Sequence, residues 1–288
     1  MEVWKCLKDK LLEQQVDFRE FITKGPLHAT KIAAQITSSA SFIRIVVLGG
    51  DGTLHEVLSG IQNMKYVRLG YIPIGSSNDF ARGMKWRAGS EERLDQILAE
   101  MDTYEIDYGS VKAGGIQGRF AVSAGIGYDA AVCEMANRSK GKKVLNSLNL
   151  GKLIYVQIGL RSLWKANLFS AQLVLDDSQE LFFEQVLFVS VHNLPYEGGG
   201  IPFCPKADAK DGWLDVCIVA GIAKRKMPPL LLKARKGTHT ESEGVHIYRC
   251  KKMKIKLEVP QYLHMDGEVS GKVTEAEVTV SDDKVKMI

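Results

Sequence analysis

The chain predicts an α/β domain followed by a mainly antiparallel β domain. Three observations carry this. Helical and strand patterns alternate over the first part of the chain. Two strands run straight into small, glycine-bearing turns that open helices. Beyond about residue 105 the pattern becomes short β runs bounded by Gly, Asp and Asn. The boundary falls near Tyr108, giving residues 1–108 and 109–288, with the last strands free to return to the first domain.

Residues 3–14 place Val3, Trp4, Leu7, Leu11 and Leu12 on one helical face. Val16 to Ile22 alternates and predicts a strand. Gly25-Pro26 is a turn, and His28 to Ile36 a short helix. Residues 43–48 form an apolar run that predicts a strand buried on both faces. A helix follows from Thr53, where Thr53 and Glu56 have the spacing of a capping box. Val67 to Ile74 is the next strand and residues 90–101 the next helix. This alternation predicts a parallel sheet covered on both faces. In the second domain, strands are predicted at 106–112, 119–124, 171–175, 180–191, 213–219, 253–259 and 277–280. Helices are predicted at 151–164 and 223–236.

The two strand-to-helix turns carry the chemistry. Gly49-Gly50-Asp51-Gly52-Thr53 lets backbone N–H groups approach an anion at the positive end of a new helix. Asp51 would repel phosphates unless a cation lies between, so the turn predicts a nucleotide-phosphate site with a metal-organising acid. No Gly-Lys-Ser/Thr follows it, and the order is not Gly-x-Gly-x-x-Gly. An ordinary tight turn has the same composition, and that alternative stays open. Gly75-Ser76-Ser77-Asn78-Asp79 repeats the plan with small polar groups suited to ribose or phosphate. Both turns should open on the ligand edge of the sheet. Asp51, Asp79 and Asp107 are spaced by 28 residues each (79 − 51 and 107 − 79). One βα unit apart, they are expected to converge, and three carboxylates together call for Mg²⁺, water or a shared proton. Later in the chain, Asp266-Gly267-Glu268 offers Glu268 as a general base for a hydroxyl, or else a solvated hairpin turn. Within Pro205–Asp215, Asp211 and available carbonyls read as a cation loop, or equally as a plain turn at Asp211-Gly212.

Composition narrows the function classes. A net charge of +4 without an aromatic-basic repeat argues against nucleic acid. It is compatible with anionic membrane surfaces or nucleotides, as are the basic clusters at Arg138-Lys140-Lys142-Lys143, Lys224-Arg225-Lys226 and Lys251-Lys252-Lys254, each of which also reads as solvated surface. Five scattered cysteines with no Cys-x-x-Cys predict free thiols in a reducing cytoplasm. No apolar run is long enough to span a bilayer, so a lipid-handling role would be peripheral, at the inner membrane surface.

The ordered series Gly49–Thr53, Gly75–Ala81, Glu197-Gly198-Gly199-Gly200, Pro205-x-Ala207, Asp211-Gly212-x-Leu214-Asp215 and Asp266–Glu268 resembles the soluble diacylglycerol kinase family, with its sphingosine, ceramide and bacterial YegS-like lipid kinases. The resemblance spans nearly the whole chain. It implies an N-terminal nucleotide-binding domain of NAD kinase/diacylglycerol kinase type joined to a C-terminal antiparallel β-sandwich. It implies ATP as phosphoryl donor, Mg²⁺ as cofactor, and a lipid hydroxyl as acceptor, diacylglycerol first among candidates. It assigns Glu268 as base with Asp266 beside it, and Asp51, Asp79 and Asp107 to a Mg²⁺ network. Gly49, Gly50, Gly52, Thr53, Gly75, Ser76, Ser77 and Asn78 would bind the nucleotide. Asp211, through its side chain, with backbone carbonyls near Asp208 and Trp213, would hold a second, structural Mg²⁺.

Two other readings stay open. NAD kinases share Gly-Gly-Asp-Gly-Thr but not the later series. An inactive lipid-binding or regulatory homologue is the other, because family members begin with a strand and an Asn-Pro, Gly-rich turn that this chain lacks before its first helix. The expectation is an upstream segment of about 10–20 residues whose restoration raises melting temperature and ATP affinity. The sequence leaves a homodimer open as an assembly state.

Overall fold

The computed structural model describes residues 2–101, 103–138, 159 and 161–288. The first part contains α1 (Glu2–Glu13), α2 (His28–Ile36), β1 (Ile43–Gly49), α3 (Asp51–Gly60), β2 (Val67–Pro73), α4 (Asp79–Gly83), α5 (Ser90–Ala99) and β3 (Tyr104–Ile106). The remainder contains β4 (Gly109–Ala113), β5 (Ile116–Phe120), β6 (Ser123–Gly127), α6 (Tyr128–Arg138), β7 (Phe169–Leu175), β8 (Gln179–His192), β9 (Tyr196–Glu197), β10 (Ile201–Pro202), β11 (Leu214–Ala220), α7 (Met227–Arg235), β12 (Val245–Cys250), β13 (Lys252–Met265), β14 (Glu268–Val280) and β15 (Val285–Met287).

The first sheet has the order β1-β2-β15-β3. β1 and β2 are parallel, with Ile43 opposite Val67 and Gly49 opposite Pro73. β15 comes from the far end of the chain and pairs parallel to β2 and antiparallel to β3. Helices cover both faces. Leu69 and Tyr71 pack with Ala33 of α2 and Leu54 and Leu58 of α3. Ile72 packs on the other side with Leu7 and Leu11 of α1 and Leu94 and Ile97 of α5. β2 is buried on both faces, but β1, at the edge of the sheet, is not as expected for residues 43–48: Ile43 and Ile45 are half-buried and Val46 is exposed.

The second sheet is antiparallel, in the order β12-β11-β8-β6-β13-β14-β4-β5, with β7 joined to both β8 and β13. The two long strands fold it over. β8 pairs with β7 along residues 179–186 and with β6 along 188–192. β13 likewise pairs with β7 along 253–257 and with β6 along 263–265. The result is a β-sandwich around Phe120, Leu173, Val189, Val216, Ile255 and Leu263.

Several expectations change. Residues 16–22 form no strand. Val16 and Phe18 alternate because they pack against the α1 cluster, not because a neighbouring strand pairs with them. The predicted strand at 106–112 is two strands in different sheets, broken at Asp107-Tyr108. The helix beginning at Asp51 is not capped by Thr53 and Glu56; Gly50 is its N-cap, without a side-chain bond. Glu56 instead accepts the Leu27 and Ala29 N–H groups and so caps α2. α6, β12 and β15 were not predicted. Of the predicted helix at 151–164, all but residues 159 and 161–164 lie outside the described residues, as does most of the basic cluster at 138–143.

Candidate active site

The two glycine turns meet. A Cβ on Gly75 would lie 2.6 Å from the Gly50 Cα, and one on Gly50 would lie 3.2 Å from the Gly75 Cα. Neither turn tolerates a larger residue without moving the other. Ile74 N donates to Gly49 O at 2.9 Å and locks the pair together. A Cβ on Gly49 would collide with the Thr53 side chain at 2.7 Å, so Thr53 buttresses the turn. Gly50, Asp51, Gly52, Gly75, Ser76, Ser77 and Asp79 line one wall of a cleft of about 320 Å³. Ser123, Glu197, Gly198 and the Asp266–Glu268 turn line the other, so the cleft lies between the two domains.

Asp51 and Asp79 are coupled through the backbone. The Asp51 carboxylate accepts Asp79 N at 2.9 Å and Phe80 N at 3.2 Å, which caps α4. Asp79 Oδ2 accepts Gly199 N at 2.8 Å, tying the Gly198–Gly200 loop to the cleft. Its Oδ1 is buried without a hydrogen-bond partner, as is Asn78 Oδ1, with Arg82 Nε 3.7 Å from Asp79 Oδ1. Burial, and then the charge of Asp51, lift the Asp79 carboxyl to about 6; burial also raises Asp51. Two repelling buried carboxylates with an open oxygen fit a hard cation. Arg82, at 3.7 Å from Asp79 Oδ1, offsets part of that charge, and among the described residues no Lys or Arg lines the cleft itself.

This has a measurable consequence. The unfolded chain releases the Asp79 proton near 3.8, whereas the folded protein keeps it to about 6. The folded state therefore binds more protons in that window, and cation-free stability falls as pH rises through it, by on the order of 2–3 kcal/mol. Asp79→Asn should flatten that decline and melt higher than wild type at pH 7.5 without divalent cation. Parallel melting curves from pH 4.5 to 7.5 would contradict the assignment.

Asp107 does not join them. β3 runs antiparallel to β15 and so opposite to β1 and β2, and its carboxyl end opens on the other edge of the sheet. Asp107 is fully buried there, accepting Gly212 N at 2.7 Å and pairing with Lys284. Even spacing implied convergence only if the third strand were parallel. Asp208, Asp211 and Trp213 belong to this remote cluster. Asp208 Oδ1 accepts Lys210 N, Asp211 Oδ1 accepts Trp213 N, and Asp211 Oδ2 pairs with Arg249. The guanidinium already meets the Asp211 charge, so this loop does not fit a structural Mg²⁺.

Glu268 and Asp266 reach the cleft but differ in freedom. Asp266 accepts Ala121, Val122 and Ser123 N–H at 2.8–3.1 Å and faces His55 Nδ1 at 3.2 Å. Its oxygens are committed, so it anchors the turn. Glu268 is exposed, and a Cβ on Gly52 would come within 3.0 Å of its Oε1. It has no hydrogen-bond partner among the described residues and stands over the start of α3. Sequence reasoning missed His55, Asp129 and His264 as site residues. Gly127-Tyr128-Asp129 repeats the strand–glycine–acid–helix order of Gly50-Asp51 and was the available signal for one of them.

Comparison with known proteins agrees across the chain. Residues 1–111 match the family described as "Diacylglycerol kinase catalytic domain", and residues 121–288 match "YegS C-terminal NAD kinase beta sandwich-like domain". The Bacillus subtilis protein named "Putative lipid kinase YtlR" is 30% identical over 94% of this chain and 89% of its own. A crystal structure of "a putative diacylglycerol kinase" from Bacillus anthracis has a TM-score of 0.72 at 24% identity, covering 92% of this chain and 82% of that one. An NAD kinase from Archaeoglobus fulgidus in complex with ATP has a TM-score of 0.51 at 12% identity, over 98% of this chain and 88% of that one, which shows shared fold alone.

Proposed function

The chain belongs to the diacylglycerol kinase/YegS-like family of lipid kinases, and from that membership we propose that it transfers the γ-phosphoryl group of ATP to the hydroxyl of diacylglycerol, giving phosphatidic acid and ADP. The observation that carries this reading is the paired glycine turn. Its backbone N–H groups and the start of α3 face a cleft whose opposite wall presents the free carboxylate of Glu268.

In this reading residues 1–108 carry the nucleotide and 109–288 the lipid. The turns at Gly49–Thr53 and Gly75–Asn78 hold the phosphates and ribose. Asp51 and Asp79 would hold Mg²⁺, which when bound neutralises phosphate charge. Glu268 accepts the proton of the acceptor hydroxyl. The new bond forms from that oxygen to the γ-phosphorus, the β,γ-bridging bond breaks, and ADP leaves. Asp266 keeps the turn in place through Ala121–Ser123. Among the described residues no helix is long and apolar enough to cross a membrane. In this reading the protein meets its acceptor at the membrane surface.

The test is incubation of purified protein with ATP, Mg²⁺ and diacylglycerol in mixed micelles, with products identified by mass spectrometry. Phosphatidic acid is expected. Phosphorylation of NAD with no lipid product would replace this reading by the NAD kinase one. ATP binding without transfer to any lipid would favour an inactive homologue.

A further inference from the structure

We propose that Glu197, with Asp129 beside it, binds the hydroxyl-bearing head of the acceptor lipid, and that this site takes an uncharged head group and rejects an anionic one. The inference rests on the lipid kinase reading and adds where the acceptor sits and which heads it admits.

Two cavities meet at Glu197. One is the polar cleft. The other, of about 150 Å³, is walled by Leu187, Phe188, Phe203, Val219, Leu230 and Leu231, the last two from α7. Glu197 and Gly198 line both. A lipid with a chain in the apolar cavity must pass its hydroxyl by this carboxylate to reach the phosphate turns.

The junction is built and unsatisfied. The side chains of Glu197, Asp129 and His264 are 12%, 9% and 0% exposed. Glu197 Oε2 and Asp129 Oδ2 are buried without hydrogen-bond partners. Leaving such atoms unpaired costs free energy that a bound donor would recover. His264 Nε2 lies 3.5 Å from Asp129 Oδ2 and 3.4 Å from Glu197 Oε1, and His192 Nε2 lies 3.5 Å from Glu197 Oε2. The close approach needs Gly125, since a Cβ there would lie 2.0 Å from Asp129 Oδ2 and 2.4 Å from His264 Nε2.

These three side chains also have the spacing of metal ligands. The tautomer argues against a metal. Gly267 N donates to His264 Nδ1 at 3.2 Å, so Nε2 is the nitrogen that carries the proton, between the two carboxylates. The carboxylates favour a second ring proton and the Gly267 N–H opposes it; Nε2 is protonated in either form. What remains is a buried pair of acids, Asp129 raised by burial and Glu197 lowered by His264, each with an oxygen open to a hydrogen-bond partner.

The same cluster settles the division of labour. Burial works to raise the Glu197 pKa, but attraction to His264 prevails and brings it to about 2. So acidic a group is a poor general base at neutral pH. Glu197 is thus an acceptor-positioning residue, and the proton goes to Glu268. Among the described residues no Lys or Arg lines either cavity. An anionic head would stand unpaired against buried carboxylates, which is costly.

The test is equilibrium binding of a fluorescent diacylglycerol in neutral detergent micelles without ATP, using the full chain. Glu197→Gln should bind it roughly 10-fold or more weakly, with ATP affinity unchanged and the KM for diacylglycerol raised far more than kcat falls. Glu197→Asp keeps the charge and should recover part of the loss, and it also serves if the Gln variant fails to fold. Phosphatidylglycerol, which has hydroxyls on an anionic head, should bind wild type poorly and gain relative to diacylglycerol in Glu197→Gln. Wild-type diacylglycerol binding by both variants, or equal binding of the two lipids by wild type, overturns the site while leaving the kinase reading intact. Wild-type protein that binds ATP but no diacylglycerol overturns both.

Discussion

Asp51→Asn is expected to lower phosphoryl transfer by on the order of 10³-fold, the largest effect of any single change in the cleft. The carboxylate caps α4 through Asp79 and Phe80 N–H and supplies half of the charge that calls for a cation. The amide retains one acceptor oxygen, so the loss of stability should be only about 1 kcal/mol. Circular dichroism and melting temperature should therefore be near wild type. A folded variant with wild-type turnover would remove Asp51 from the chemistry and leave it a helix cap.

Glu268→Gln is expected to lower kcat by on the order of 10²-fold or more with little change in ATP affinity. The side chain is exposed and unpaired, so removing its charge leaves nothing buried unsatisfied and the fold should be indifferent. The pattern matters more than the size. If ATP affinity falls and kcat survives, Glu268 belongs to the nucleotide site, where it stands over Gly52.

Much of the cleft was legible because it depends on local chemistry. Gly49–Thr53 and Gly75–Asp79 each record a strand, a turn without side chains and a helix start, and two adjacent parallel strands bring such turns together. Asp107 was misplaced because spacing says nothing of strand direction. β3 runs antiparallel, and Asp107 finds Lys284 from the other end of the chain. The pairing of Asp211 was hidden for a similar reason: its partner Arg249 is 38 residues away, and no local pattern announces it. The sequence marks Asp266 and Glu268 alike, yet only packing shows that one carboxylate is committed to three N–H groups and the other is free. The Glu197 junction was least legible, since it needs β6, β9, β13 and α6 to meet, and neither Glu197-Gly198-Gly199-Gly200 nor Gly127-Tyr128-Asp129 tells that they converge. Residues 16–22 show the converse: Val16 and Phe18 alternate with exposed neighbours, yet Ile22 is exposed and no strand forms.

The central claim is that the Asp51–Asp79 cleft passes the γ-phosphoryl of ATP to a lipid hydroxyl with Glu268 as base. The most direct measurement is single-turnover transfer from γ-labelled ATP to diacylglycerol in micelles, for wild type, Asp51→Asn and Glu268→Gln, with bound nucleotide determined in parallel. Label is expected in phosphatidic acid for wild type, with transfer greatly slowed in both variants and nucleotide still bound by Glu268→Gln. Label reaching lipid at wild-type rates in either variant, or appearing from wild type only as inorganic phosphate or on NAD, would contradict it.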